Sequence, residues 1–201
     1  MNEQMEPNVV YETGQSHLDS EELAGLKITG IKELSDVLPF ESKNIAKATV
    51  WSEKNQFGSD KIFTEIFIRE IHKRMFGDVW QWAGKYRLSN KSMGVEKSLI
   101  SKELKQLFSN TKFWIESESY NPDEIAIRFM HRLMQLQCFP GGNARHAKLM
   151  SDIVIEHILN GEIFTWGESL NDPKLAREKF LDALKKADKG KMDDLLKIAR
   201  M

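Results

Sequence analysis

The stretch QCFPGGNARHAK, residues 137–148, separates two segments with helical spacing of apolar residues. It is longer than the short turn that an ordinary helical hairpin needs. We interpret Asn143 as the cap of the second helix, which places Arg145 and Lys148 in its first turn. Cations there oppose the helix dipole unless an anion binds at the same place. Because Gly141 and Gly142 let the backbone approach a ligand, the stretch predicts a phosphate site at the start of this helix.

Two other interpretations of this stretch stay open. One is an ordinary loop whose Arg145 and Lys148 are solvated. The other is a helix-turn-helix DNA reader, but the formal net charge of −1 disfavours nucleic acid as a partner.

Helical periodicity continues on both sides of the stretch. Asn121 and Pro122 are typical of a helix start, and apolar residues recur through the following turns. Upstream, Asp60 is interpreted as the cap of a helix that runs to Gly77. Between them, partial alternation around Gly94 predicts a short β-hairpin or an extended flap. The sequence therefore predicts an all-α helical bundle around a central helix hairpin, with one short β-hairpin flap.

Composition bounds the domain organisation. The chain has 201 residues, of which 41% are hydrophobic and 29% charged, enough for one sizeable core. We predict a loosely ordered N-terminal arm over residues 1–20 and a single helical domain over 21–201, with its core at about 60–160. The lone cysteine, Cys138, excludes an internal disulfide. No apolar stretch approaches ~20 residues and the N-terminus has no apolar signal core, so we expect a cytoplasmic protein without membrane contact.

The stretch 137–148 resembles the signature of the Fic family, His-Pro-Phe-x-acid-Gly-Asn-Gly-Arg-x-x-Arg, which lies between two core helices. Further similarity lies in MFGDVWQWAGKYR (75–87) and DIVIEHILNGEIFTWGESL (152–170). KSMGVEKSLI (91–100) stands where the family has its target-docking flap. From about Leu18 to the C-terminus, the pattern is most similar to the branch called mobile mystery protein B. The resemblance implies the Fido fold.

The resemblance also implies transfer of AMP from ATP, with Mg²⁺, to a hydroxyl of a target protein. In the family, the histidine is the general base, the acid holds Mg²⁺, and the loop and arginines bind phosphates. By position, the nucleotide- or phosphate-binding residues here are Gly141, Gly142, Asn143, Ala144, Arg145 and Lys148. The flap positions that would dock a target protein are Ser92, Met93, Gly94 and Val95. A small regulatory protein is a second possible partner.

The motif departs from the family signature at its chemical centre. Gln137 stands at the histidine position, and its amide has no useful basicity near neutral pH. Loss of a positioned base typically costs ~10²–10⁴-fold in rate. Gly141 stands at the acidic position and offers Mg²⁺ no carboxylate. We therefore expect nucleotide or phosphate binding with weak or lost AMP transfer. The alternatives are an active nucleotidyltransferase with altered catalytic residues and a ligand-free helical interaction protein.

Many family members carry an inhibitory helix with the pattern Ser/Thr-x-x-x-Glu-Gly/Asn. Residues 42–47 have Ala46 at the glutamate position, and residues 49–54 have Glu53 followed by Lys54. Neither segment fits the pattern, so we expect no intact inhibitor. The remaining candidates for chemistry are interpreted as packing or surface residues: Cys138, His72, His131, His146 and His157.

Overall fold

The computed structural model describes residues 17–201, so most of the predicted arm over residues 1–20 lies outside the described part. The described chain is helical, which confirms the predicted fold class. Its α-helices are α1 (Ser20–Ala24), α2 (Leu38–Glu53), α3 (Ser59–Ile62), α4 (Glu65–Phe76), α5 (Ile100–Glu116), α6 (Pro122–Leu136), α7 (Asn143–His157), α8 (Pro173–Ala187) and α9 (Asp193–Ala199). Short 3₁₀ turns lie at Leu34–Val37, Lys97–Leu99 and Glu168–Leu170.

The centre of the fold is the hairpin of α6 and α7, as the apolar periodicity predicts. Asn121 caps α6, since its side chain accepts a hydrogen bond from Glu124 N at 2.9 Å. Gln137 ends α6 in the left-handed region, with φ at 49°. The two helices bury their predicted apolar faces, which include Ala126, Phe129, Met130, Leu133, Ala147, Met150 and Val154. This burial fixes both ends of the connecting loop.

The helix predicted from Asp60 to Gly77 is two helices. The chain leaves helical geometry at Phe63, and Asp60 is no cap because Gly58 stands at the N-cap of α3. Thr64 caps α4 instead, with its hydroxyl accepting from Phe67 N at 3.1 Å. A threonine hydroxyl at this position satisfies a free helical N–H and so begins a new helix.

The predicted β-hairpin flap does not form paired strands. Residues 89–96 consist of bends and irregular backbone with no strand, and Leu26 and Trp80 form an isolated β-bridge elsewhere in the described chain. The buried Arg87 guanidinium explains the difference, since it donates to Ser89 O at 2.8 Å and to Val95 O. Carbonyls held by a side chain are not available to a neighbouring strand.

The segment that follows α7, residues 158–201, packs against one side of that helix. Asp152 on α7 accepts from Trp166 Nε1 at 3.1 Å and from Phe164 N at 3.2 Å. Trp166 N also donates to Ala199 O at 3.0 Å, which joins this segment to the end of α9. Between residues 17 and 201, no helix is long and apolar enough to cross a bilayer.

Candidate functional site

The loop between α6 and α7 is closed by the side chain of Asn143. Its Nδ2 donates to Phe139 O at 2.8 Å, and its Oδ1 accepts from Phe139 N at 3.0 Å. The prediction that Asn143 caps α7 is therefore wrong, because Gly142 occupies the N-cap position. An asparagine that binds its own loop shapes the backbone and leaves the helix start without a side-chain cap.

His72 on α4 also binds the loop between α6 and α7. Its Nδ1 accepts from Gly84 N at 3.0 Å, so its Nε2 carries the proton and donates to Gly141 O at 3.1 Å. The ring stacks on Phe139 with 3.7 Å between centroids. Burial, with the neighbouring His146, holds the pKa of His72 well below its usual range, so the ring is neutral. The Gly141 carbonyl is thus drawn into the core, away from the start of α7.

The start of α7 has the geometry of an anion site. Gly142 has φ at 74°, and a Cβ there would lie 2.5 Å from Cζ of Phe76, so this position requires glycine. The first helical bond runs from His146 N to Gly142 O at 2.9 Å. The N–H groups of residues 143–145 precede it and have no partner within the helix. Ala144 has a negative φ and an exposed side chain, so the family's glycine is not needed at this position.

Arg145 forms an ion pair with Glu41, an acid that the sequence analysis did not identify. Its Nη1 lies 2.8 Å from Oε2 of Glu41 on α2, and its guanidinium lies 5.0 Å from the centre of the Phe76 ring. Glu41 is 6% exposed, and its Oε1 accepts from Trp80 Nε1 at 2.6 Å. Glu41 directly precedes the first inhibitory candidate, residues 42–47, whereas Glu53 of the second is exposed. No sequence pattern indicated Glu41, because its partners come from distant parts of the chain.

Arg145 and Lys148 line one cavity of about 540 Å³, together with Ala144. The opposite wall comes from the 3₁₀ turn after Trp166 and from α8. Lys148 Nζ lies 3.9 Å from the ring centre of Phe180 and 4.9 Å from that of Trp166. Burial lowers the pKa of Lys148 to about 8. The two cations that the sequence singled out therefore face the same space.

Gln137 is in contact with the flap, residues 92–95, through Gly94. Its Nε2 donates to Met134 O at 2.8 Å, and its own carbonyl accepts from Arg87 Nε at 2.5 Å. Gly94 packs directly on it with φ at 105°, since a Cβ on Gly94 would lie 2.7 Å from the Gln137 Cβ. The predicted flap and the predicted catalytic position are thus in contact.

Gly141 provides neither a metal ligand nor open space. A Cβ there would lie 3.3 Å from Cη2 of Trp82 and 3.5 Å from Cδ2 of Leu18. Trp82 is held in place by its Nε1, which donates to Glu22 O at 3.0 Å. No group of three His, Cys, Asp or Glu side chains in the described part of the chain could hold a metal ion. The residues of this loop therefore do not fit Mg²⁺.

Cys138, His146 and His131 are three further candidates from the sequence. Cys138 is buried, and burial raises the pKa of its thiol to about 12, so the thiol is protonated. His146 is buried and its Nε2 donates to Ile68 O at 3.0 Å, while burial lowers its pKa to about 4. His131 Nε2 lies 2.8 Å from Oδ1 of Asp188. None of these contacts provides a base for Gln137 or Cys138.

Comparisons with known proteins place this geometry in context. Residues 62–155 match the model of the Fic/DOC family. None of the curated proteins compared with the chain is similar to it in sequence. Among solved structures, the fold is similar to the BepC protein, a VirB-translocated effector of Bartonella tribocorum with bound AMPPNP; the TM-score is 0.67 at 17% identity, over 92% of this chain and 96% of that chain.

Two further structures share the fold. One is the N-terminal Fic domain of a VirB-translocated Bep effector of Bartonella quintana with bound ADP, with a TM-score of 0.66 and 16% identity over 92% of this chain and 94% of that chain. The other is Fic-1 of C. elegans, with a TM-score of 0.60 and 18% identity over 88% of this chain and 50% of that chain.

Proposed function

We propose that this chain is a Fic/DOC family protein that binds a nucleotide through its phosphates and that its AMP transfer is weak or lost. The family assignment is supported by residues 62–155, which match the family model. The observation that carries the proposal is that Ala144, Arg145 and Lys148 line one cavity at the start of α7. Structures with the same fold hold AMPPNP and ADP. The finer assignment to the mobile mystery protein B branch is part of this proposal and rests on residues 75–87 and 152–170.

Phosphate recognition would rest on backbone and guanidinium together. The N–H groups of residues 143–145 lie at the positive end of the α7 dipole, which attracts an anion. Arg145 provides a second set of donors, for which the phosphate competes with Glu41. A volume of about 540 Å³ is within the range of small-molecule sites.

Transfer chemistry lacks its two central groups. The Gln137 amide cannot take a proton from an attacking hydroxyl, and its nitrogen already donates to Met134 O. Gly141 offers no carboxylate, so the loop has no side chain that could hold Mg²⁺ against the phosphates. We expect a rate at least ~10²-fold below that of an enzyme with a positioned base.

Calorimetric titration with ATP and with ADP, each without and with Mg²⁺, tests the binding proposal. We expect binding that is weakened in Arg145→Gln and unchanged in Lys185→Gln, whose side chain is 73% exposed and lies outside the cavity. Absence of heat at millimolar nucleotide would reject the proposal and favour the ligand-free interaction protein. If Arg145→Gln binds the nucleotide as tightly as the unchanged protein does, the start of α7 is not the binding site.

Incubation with labelled ATP and a cell lysate tests the transfer activity. We expect little label on protein, and more label after the double change of Gln137→His with Gly141→Asp. Strong labelling by the unchanged protein that disappears in Gln137→Ala would instead favour the active nucleotidyltransferase.

A protein partner at the flap is also proposed. Met93 is 47% exposed and Leu88 is 83% exposed, so two large apolar side chains face solvent on either side of Ser92. The exposed Met93 side chain is available for contact with a partner protein at the flap. Cross-linking from a photoreactive residue at position 93, compared with one at the equally exposed Val50 on α2, measures whether proteins dock there preferentially. Equal capture at both positions would contradict the proposal.

A further inference from the structure

The segment at the start of the described chain, residues 17–24, contacts both the loop between α6 and α7 and the flap. We call this segment the strap, and it contains α1. On one side, Cδ2 of Leu18 would lie 3.5 Å from a Cβ on Gly141, so this leucine covers the loop. On the other side, the strap binds Lys91, which directly precedes the flap, residues 92–95. One short segment therefore joins two parts of the candidate site.

The contact between the strap and the flap is a nearly buried ion pair. Nζ of Lys91 binds Oε2 of Glu22 and donates to the carbonyl of His17 at 3.0 Å. The side chains of Lys91 and Glu22 are 12% and 10% exposed. Asp19 adds a hydrogen bond, since its Oδ2 accepts from Ser89 Oγ at 3.1 Å. Removal of one partner from such a pair leaves the other charge without compensation, so the link is strong only while both partners are present.

Glu22 also joins the strap to the indole that covers Gly141. Its backbone carbonyl accepts from Trp82 Nε1 at 3.0 Å, while its carboxylate accepts from Asp19 N at 2.8 Å. The backbone and the side chain of one residue thus hold the cover of the loop and the flap. A helix of five residues, such as α1, has little stability of its own. The position of the strap therefore depends on these contacts.

Two cations hold the flap at its ends. Arg87 donates to Val95 O, and Lys91 binds the strap. Between them, residues 92–94 are exposed and belong to no strand. Segments with exposed side chains and few packed contacts open at low free energy. Loss of the anchor at Lys91 therefore frees one end of the flap.

We propose that the strap is a latch that couples the flap to the loop between α6 and α7. When the pair of Glu22 and Lys91 separates, the flap is released, and the strap moves so that Leu18 withdraws from Gly141. The flap and the loop then open together. A protein that docks on the flap and separates this pair thereby gains access to the loop. The latch does not require that a nucleotide binds.

The single thiol of the chain, Cys138, reports the opening of the loop. It is 1% exposed, so its alkylation by iodoacetamide at pH 8 depends on that opening. We expect Lys91→Met and Glu22→Gln each to speed alkylation about tenfold, because each removes the same link. The double variant should react no faster than either single variant. Leu18→Ala should also speed alkylation, and Lys91→Met should add less in that background than it does in the unchanged protein.

Hydrogen exchange of residues 89–97, measured by mass spectrometry in the same variants, reports the opening of the flap. We expect faster exchange there in Lys91→Met and in Glu22→Gln. Leu18→Ala should leave this exchange unchanged, because Leu18 contacts the loop and the ion pair is still present. The two measurements together therefore separate loss of the cover from loss of the latch.

Asp123→Asn is the matched control, since it removes an ion pair with Arg200 at the opposite end of α6. It should change neither measurement. Two outcomes overturn the proposal: alkylation of Cys138 that is no faster in Lys91→Met than in the control, or faster alkylation without faster exchange of residues 89–97.

Ser89→Ala keeps the test decisive if the ion-pair variants fail to fold, which urea unfolding of each variant detects. This change removes only the hydrogen bond to Asp19. We expect it to speed both alkylation and exchange by a smaller factor than loss of the ion pair does. Rates equal to those of the unchanged protein would overturn the proposal.

Discussion

At the scale of single residues, the pair of Glu41 and Arg145 controls how much positive charge the cavity presents. The carboxylate is almost fully buried and divides its oxygens between Trp80 Nε1 and the guanidinium. Glu41→Gln keeps an oxygen for Trp80 and removes the charge that competes with a phosphate. We expect ATP to bind about fivefold more tightly, which corresponds to roughly 1 kcal/mol for a partly exposed ion pair. Calorimetric titration of the variant measures the change.

Glu53→Gln is the matched control for this prediction, because Glu53 lies on the same helix with an exposed side chain. The control should bind ATP as the unchanged protein does. Weaker binding by Glu41→Gln than by the control would show that Glu41 positions Arg145 for the ligand rather than competing with it.

Residues of the site were predictable from the sequence to different degrees. Arg145 and Lys148 could be identified from the sequence because cations in the first turn of a helix are unfavourable unless an anion binds there. In the structure both residues line the same cavity. Asn143 was misassigned, since an asparagine beside a turn can bind either the helix start or its own loop, and the sequence does not distinguish the two. Glu41 and His72 act across large sequence separations, so no local pattern indicates them.

At the scale of elements, the turn into α7 depends on one glycine. Gly142→Ala would force an alanine to adopt a φ of 74°. Its Cβ would lie 2.5 Å from the fully buried ring of Phe76. We expect a loss of roughly 2–4 kcal/mol of unfolding free energy from backbone strain and overpacking, and loss of ATP binding. Urea unfolding and calorimetry measure the two effects.

Gly141→Ala provides the comparison within the same turn. Its φ is not positive, and its Cβ would contact Trp82 at 3.3 Å. We expect at most about 1 kcal/mol of destabilisation there. Equal effects of the two substitutions would show that the left-handed conformation at position 142 is not what shapes the turn.

The elements themselves follow the sequence where apolar periodicity is long and caps are strong. The faces of α6 and α7 and the cap at Asn121 are confirmed. The break at Phe63 and the missing hairpin were not predictable, because each depends on one side chain binding nearby backbone: the Thr64 hydroxyl and the Arg87 guanidinium. Side chain–backbone bonds of this kind override periodicity over a few residues.

At the scale of the whole molecule, Asp152 joins α7 to the segment that leads into α8, through its bonds to Phe164 N and the Trp166 indole. Burial raises the pKa of this carboxyl to about 7, above the 3.8 of an unperturbed aspartate. The folded state therefore favours the protonated form, and the contribution of Asp152 to stability is lost as the pH rises from about 4 to 7. Asp152→Asn cannot ionise. Relative to the unchanged protein, we expect it to gain about 2–4 kcal/mol of unfolding free energy between pH 4 and pH 8.

Urea unfolding at pH 4, 6 and 8 measures this difference, with Asp182→Asn as the control because Asp182 is 69% exposed. The control should show no comparable trend. A difference between Asp152→Asn and the unchanged protein that stays constant with pH would mean that Asp152 ionises in the folded state as freely as an exposed carboxylate.

The covering of Gly141 determines what a larger side chain at this position would cost. Trp82 is held by its bond to Glu22 O and by its stacking on Trp80, with 4.9 Å between ring centres. An acidic side chain introduced at position 141 would have to displace this indole and Leu18. A carboxylate could therefore enter the loop only together with a rearrangement of the tryptophan pair that covers it.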